Sequence, residues 1–142
     1  MKRLFIGTAA AALLALTACG PKEAPGPVTS LQITDKRAGI GEEAAAGKKV
    51  TVHYTGWLYD PRKSNHHGKE FDTSRPNHPF TFVLGNGEVI KGWEEGIAGM
   101  KEGGRRILII PSEMAYGATG AGDGMIPPNA DLVFDVQVLN VR

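Results

Sequence analysis

One stretch constrains the fold more than any other: Glu88-Val89-Ile90-Lys91-Gly92-Trp93-Glu94-Glu95-Gly96-Ile97-Ala98-Gly99-Met100. Trp93, Ile97 and Met100 stand at i, i+4 and i+7, so one face of a short helix is apolar. Glu94 and Glu95 fall on the solvent side near its N-terminus, where the helix dipole favours negative charge. Gly92, Gly96 and Gly99 work against the helix, each costing about 1 kcal/mol relative to Ala in a helix interior. A helix this short and this handicapped does not persist alone. A larger body must hold it, and the other apolar segments read as strands. Trp93 is expected near the floor of whatever those strands enclose.

Lys49 to Thr55 alternates cleanly and places Val50, Val52 and Tyr54 on one face of a strand. Gly56 inside this pattern signals a bulge or bend before Trp57-Leu58. Leu31 to Asp35 alternates as a half-buried strand. Phe71-Asp72 and Phe80 to Leu84 are separated by the turn 75–79, and Phe82 reads as core. Arg105 to Ile110 is an apolar strand ended by Pro111, and Tyr116-Gly117 opens an irregular, Gly-rich loop. Asp131 to Val141 sets Leu132, Phe134, Val136 and Val138 on one face. Nineteen glycines and nine prolines mark the turns between these segments. Strands on both sides of one short helix predict an α+β domain whose mostly antiparallel sheet wraps over the helix.

Residues 60–68, DPRKSNHHG, are polar and punctuated, a surface loop. Its His66 and His67 invite a metal reading. Adjacent imidazoles seldom converge on one ion, and no Cys, Asp or Glu stands beside them at ligand spacing. The loop is therefore read as solvated. His53 is placed on the solvent face of its strand and His78 in a turn.

The N-terminus reads as an address. Met1-Lys2-Arg3 is a short basic start, and Leu4 to Ala18 is an apolar run of 15 residues. That is too short to span a bilayer comfortably, so residues 1–18 read as a signal peptide that is removed. Leu16-Thr17-Ala18-Cys19 carries the chain's single cysteine and resembles a bacterial lipobox. That resemblance implies acylation of Cys19 and an anchor formed by several acyl chains. The alternative is a plain secreted protein with an incidental cysteine. Gly20 after the cysteine points, by the same resemblance, to the outer membrane facing the periplasm. Residues 19–30 form the lipidated Cys and a Pro-rich tether, whose eleven residues after Cys19 reach at most about 36–40 Å. Residues 31–142 form the domain.

Five blocks in register then resemble FKBP-type peptidyl-prolyl cis-trans isomerases. They are His53-Tyr54-Thr55-Gly56, Phe71-Asp72-Thr73-Ser74, Glu88 to Gly96, Ala115-Tyr116-Gly117, and Ile126-Pro127-Pro128 with Leu132 to Val136. The resemblance covers residues 31–142. It implies a five- or six-stranded antiparallel half-barrel around a short helix, and X-Pro isomerisation as the activity. Matched residue by residue, it implies a proline pocket of Tyr54, Phe71, Asp72, Phe80, Val89, Ile90, Trp93, Tyr116, Ile126 and Phe134. The Trp93 indole would be its platform, walled by Tyr54, Phe80 and Phe134, with Phe71 and Ile126 at the mouth. The Tyr116 hydroxyl and the Ile90 backbone N–H would hydrogen-bond substrate carbonyls, and Glu88 would offer a backbone carbonyl at the rim. Whether Arg75 reaches Asp72 stays open. Residues 61–68 read as an insertion, and Ala121 stands where the family's prototype has a bulky side chain.

Such chemistry requires no nucleophile, metal or cofactor, and no phosphate loop, Cys/His pair or Ser-His-Asp set can be placed in the chain. The formal charge is +1, and losing Lys2 and Arg3 leaves 14 basic against 15 acidic residues. A near-neutral chain offers no basic stripe for nucleic acid. The expected partners are proline-containing peptides, exported client proteins, macrolide inhibitors and, through lipidated Cys19, a membrane. The domain is expected to be monomeric. A binding module for a proline turn or macrolide with little turnover, and a chaperone, are the competing readings.

Overall fold

The computed structural model describes residues 28–142. The signal, Cys19 and residues 19–27 of the expected tether lie outside the described residues. Among the described residues, six strands and one α-helix follow in order. They are β1 (Gln32–Arg37), β2 (Lys49–Tyr59), β3 (His67–Thr73), β4 (Phe80–Val83), α1 (Lys91–Ile97), β5 (Arg105–Ile110) and β6 (Leu132–Val141). Single 3-10 turns at Ser112–Met114 and Gly122–Gly124 interrupt the loop before β6. The strands form one antiparallel sheet in the order β1-β5-β6-β2-β3, with β4 also paired to β2. This is the expected α+β half-barrel over a short helix.

β2 organises the sheet because it changes partner along its length. Lys49 to Val52 pair with β4, and Thr55 to Tyr59 pair with β3. One of two register shifts against β3 falls between Gly56 and Trp57, the bulge expected from Gly56. Tyr54 therefore sits where β3 and β4 part, and the sheet opens there. The inward face of β2 and β6 is the core: Val50, Val52, Leu132, Val136 and Val138 are fully buried, and Phe134 nearly so.

The three helix residues expected to face inward do so, with Trp93, Ile97 and Met100 all buried. The glycines opposite them have a packing cause. A Cβ on Gly92 would meet Ile110 Cγ2 at 2.5 Å, and one on Gly96 would meet Leu108 Cδ1 at 2.8 Å. The helix thus lies directly on β5, closer than any side chain would allow. Its C-terminal carbonyls, Gly96 and Ala98, accept Arg106 Nη1 at 2.8 and 3.1 Å. That satisfies groups a helix end leaves open.

Four expectations require correction. β1 is not half-buried: all six of its residues are exposed, and Leu31 just before it packs on the core. Among the described residues it is an edge strand paired only with β5. Residues 67 and 68 belong to β3 rather than to a loop, since His67 pairs with Tyr59. The histidines are not simply solvated either. His67 stacks on Trp57 at 3.6 Å and 13°, and His66 stacks on Tyr59 at 4.8 Å and 21°. Finally, Val28 of the expected tether is buried against the domain.

Candidate active site

A cleft of about 330 Å³ opens at the divergence of β3 and β4. Ten residues line it: Tyr54, Phe71, Asp72, Phe80, Glu88, Val89, Ile90, Trp93, Tyr116 and Phe134. The structure brings all ten of these expected residues together. The eleventh, Ile126, is elsewhere. It is 6% exposed, part of the core, and its backbone pairs with Ala121 at 3.0 Å to close the loop. Ile126 is not among the residues that line the cleft.

The bowl is aromatic and its rings meet edge to face. Trp93 lies 5.0 Å from Tyr54 at 78° and 5.3 Å from Phe134 at 83°. Phe80 stands 6.1 Å from Trp93, and Phe71 meets Phe134 at 5.6 Å and 89°. Such pairs contribute about 0.5–1.5 kcal/mol each beyond the area they bury. Gly56 makes the Phe71–Phe134 contact possible, since a Cβ there would sit 2.7 Å from both rings. The Trp93 indole N–H is buried with no polar partner among the described residues.

Polar groups divide into those already engaged and those without a protein partner. The Tyr54 hydroxyl donates to Asp72 Oδ2 at 2.6 Å. The two polar tips therefore satisfy each other. Burial first, then the hydrogen bond to Asp72 and its charge, push the Tyr54 phenol far above its ordinary range. Tyr116 is also pushed up, by burial and then by the Asp72 charge. Among the described residues, neither the Tyr116 hydroxyl nor the Ile90 N–H has a protein acceptor. Ile90 is the N-cap of α1, and its carbonyl accepts Trp93 and Glu94 N–H at 3.0 and 3.1 Å. Arg75 does not reach Asp72, because its guanidinium donates to Gln137 Oε1 at 2.8 Å.

Three supporting residues escaped the sequence reading. Ser74 is 3% exposed, and its Oγ accepts the Tyr54 N–H at 2.7 Å. Its own N–H donates to the Tyr54 carbonyl at 2.9 Å, filling the gap between β3 and β4. His53 Nδ1 shares the same Oγ at 2.8 Å, so His53 is half-buried rather than solvent-facing. Glu94, expected in solvent, accepts the Gly87 N–H at 2.8 Å and also binds Gly85 N–H, fixing the turn before Glu88. The Glu88 carboxylate points back at that turn, accepting Asn86 Nδ2 and Val83 N–H, and these bonds hold it below the usual carboxylate range. Only Gly56 left a signal in the sequence, as a glycine inside an alternating strand.

Residues 41–139 match the family described as FKBP-type peptidyl-prolyl cis-trans isomerase. The chain is 56% identical over 113 residues to an FK506-binding protein of Neisseria meningitidis serogroup A, covering 79% of this chain and 96% of that protein. It is 50% identical over 112 residues to the 39 kDa FK506-binding nuclear protein of Drosophila melanogaster, of which it covers 29%. Among solved structures it is similar to AtFKBP13, with a TM-score of 0.67, 41% identity, and coverage of 79% and 93% of the two chains. FkpA from Escherichia coli gives the same TM-score at 42% identity, covering 79% of this chain and 48% of that one.

Proposed function

The chain belongs to the family of FKBP-type peptidyl-prolyl cis-trans isomerases, and on that premise we propose that it isomerises X-Pro bonds of exported proteins by desolvation and aimed hydrogen bonds. The barrier of about 18–20 kcal/mol arises because rotation breaks amide resonance. The twisted amide has a less delocalised, less polar carbonyl than the planar one, so a dry aromatic bowl costs the transition state less than the ground state. That difference is what accelerates a reaction.

The observation that carries the reading is the pairing of Tyr54 with Asp72. It fixes the Tyr54 ring as a wall and leaves two donors at the rim, the Tyr116 hydroxyl and the Ile90 N–H. Those two hold carbonyls flanking the proline while its ring rests on Trp93, so the twist is confined to the prolyl bond. No proton changes hands.

Residence at the membrane belongs to the same proposal. Its support is the lipobox-like sequence at Cys19, which implies an outer-membrane lipoprotein with the domain in the periplasm. A second reading has its own support: relatives are named for binding FK506, so the cleft would hold a macrolide or a proline turn with little turnover. Turnover of a short X-Pro peptide, with and without a macrolide, separates the two. Macrolide-sensitive turnover is expected; tight macrolide binding without turnover overturns the enzymatic reading. Cys19→Ser should release the chain from the membrane fraction with kcat/KM unchanged. A mutant that still needs detergent for extraction removes the lipid anchor from the account.

A further inference from the structure

Asp131, just before β6, holds two hydrogen bonds that the cleft itself does not explain. Its Oδ1 accepts the Ser112 N–H and its Oδ2 accepts the Val28 N–H, each at 2.9 Å. Its backbone carbonyl accepts the Tyr59 N–H at 2.9 Å, which roots the residue in the sheet. A carboxylate taking two backbone donors makes stronger bonds than a neutral acceptor does.

Each arm leads somewhere specific. The Ser112 carbonyl accepts the N–H groups of Ala115 and Gly117, both at 2.9 Å, and these are the two neighbours of Tyr116. The Gly117 carbonyl accepts the Asn129 N–H at 2.8 Å, which closes the loop back toward Asp131. Tyr116 is 38% exposed, and its hydroxyl has no protein partner among the described residues. Its tip is therefore not what holds it; the backbone on either side does, and that backbone hangs from Ser112. The other arm leads to Val28, 8% exposed, at the end of the segment that precedes the domain.

We propose that Asp131 is a positioning residue that clamps the Tyr116 loop and the N-terminal segment to one carboxylate. The N-terminal segment then joins the domain beside the rim of the cleft, and its seating helps to place Tyr116. The catalytic half of this inference rests on Tyr116 acting as a donor to substrate; the clamp itself does not.

The test uses the full chain with three substitutions. Asp131→Ala removes both acceptors. Asp131→Asn keeps the size and one acceptor oxygen, and it carries the test if the alanine variant does not fold. Val28→Pro removes only the N-terminal donor. Amide exchange at Ser112, Ala115 and Gly117 should speed up most in Asp131→Ala, less in Asp131→Asn and least in Val28→Pro. Tyr116→Phe should lower kcat/KM on a short X-Pro peptide about threefold to tenfold, the range of one neutral hydrogen bond. Asp131→Ala should lower it by about the same factor, and the double mutant should fall no further. Unchanged exchange in a folded Asp131 variant overturns the clamp, whatever Tyr116 does. Multiplicative losses in the double mutant assign Asp131 to general stability and overturn the positioning role. Faster exchange with no loss in Tyr116→Phe overturns Tyr116 as a donor, and the positioning role with it.

Discussion

The floor of the cleft and its rim are built on different terms. Trp93 and Phe134, at 5% and 3% exposure, belong to the same core as Val52, Leu108 and Val136. Phe80 and Tyr116, at 39% and 38%, remain partly exposed. The floor is fixed by the packing beneath and around it. The rim is fixed through a few hydrogen bonds at a distance: Ser74 under Tyr54, Glu94 under the turn before Glu88, Asp131 under Tyr116. A residue can thus be essential to the site because it holds the fold together or because it meets the substrate, and exposure separates the two roles.

Trp93→Ala against Phe71→Ala is the most direct way to break that distinction. Removing a large buried aromatic costs about 3–5 kcal/mol, so Trp93→Ala should show a large loss in denaturant unfolding. Phe71 is half-buried, with one side on Phe134 and Gly56. Its alanine variant should keep most of its stability while kcat/KM for peptides falls. Equal stability losses would place Phe71 in the core and erase the line between floor and rim.

The glycines beneath the floor sharpen it. By helix propensity alone, Gly96→Ala should stabilise the helix by about 1 kcal/mol. By packing, the new Cβ meets Leu108 Cδ1 at 2.8 Å, and Leu108 is wholly buried. Overpacking of this kind costs about 1–3 kcal/mol, so a net loss of stability is expected. Shortening the obstacle should relieve it: Leu108→Val with Gly96→Ala should lose less than the sum of the two. A stabilised Gly96→Ala would mean that the helix does not rest on β5 as closely as described.

The same contrast explains what was legible in the sequence. The floor showed itself because burial imposes a period: 3.6 for Trp93, Ile97 and Met100, and 2 for Leu132, Phe134, Val136 and Val138. The cost of Gly92 and Gly96 was visible, but its cause was not, because Ile110 and Leu108 are brought beneath them only by the fold. The rim has no period, so its residues could be named only through the family resemblance. Ile126 was carried over to the mouth that way, although its side chain is buried. The bonds from Ser74, Glu94 and Asp131 left no trace, since a polar residue that bonds a distant backbone group looks in the sequence like any solvated one. His66 and His67 were misread for a similar reason. Their stacking partners, Tyr59 and Trp57, face them only once β2 pairs with β3.

The smallest expected effect separates the regions by pH. His67 is pressed on Trp57, and burial pushes its pKa below the ordinary histidine value; Asp135 opposes this, while His66 and Lys63 add to it. A histidine whose folded pKa lies below its unfolded one is protonated more readily when unfolded. Stability therefore rises with pH across this range. The contribution is fully present above about pH 6.5 and is lost as pH falls through that value toward the lower folded one. His67 is not among the residues lining the cleft. Within the cleft, Tyr54 and Tyr116 are both pushed above the ordinary tyrosine value near 10, so each stays neutral where His67 titrates. Desolvation and aimed hydrogen bonds move no proton, whereas general acid–base catalysis would bend the profile. Lowering the pH from about 8.5 to 5.5 should thus reduce the unfolding midpoint while kcat/KM stays flat within about twofold, with no appreciable solvent isotope effect. His67→Gln should flatten the stability slope and leave the activity profile as it was. An inflection in kcat/KM that vanishes on substituting one histidine would join outer sheet and cleft through a proton, and the desolvation mechanism would fall.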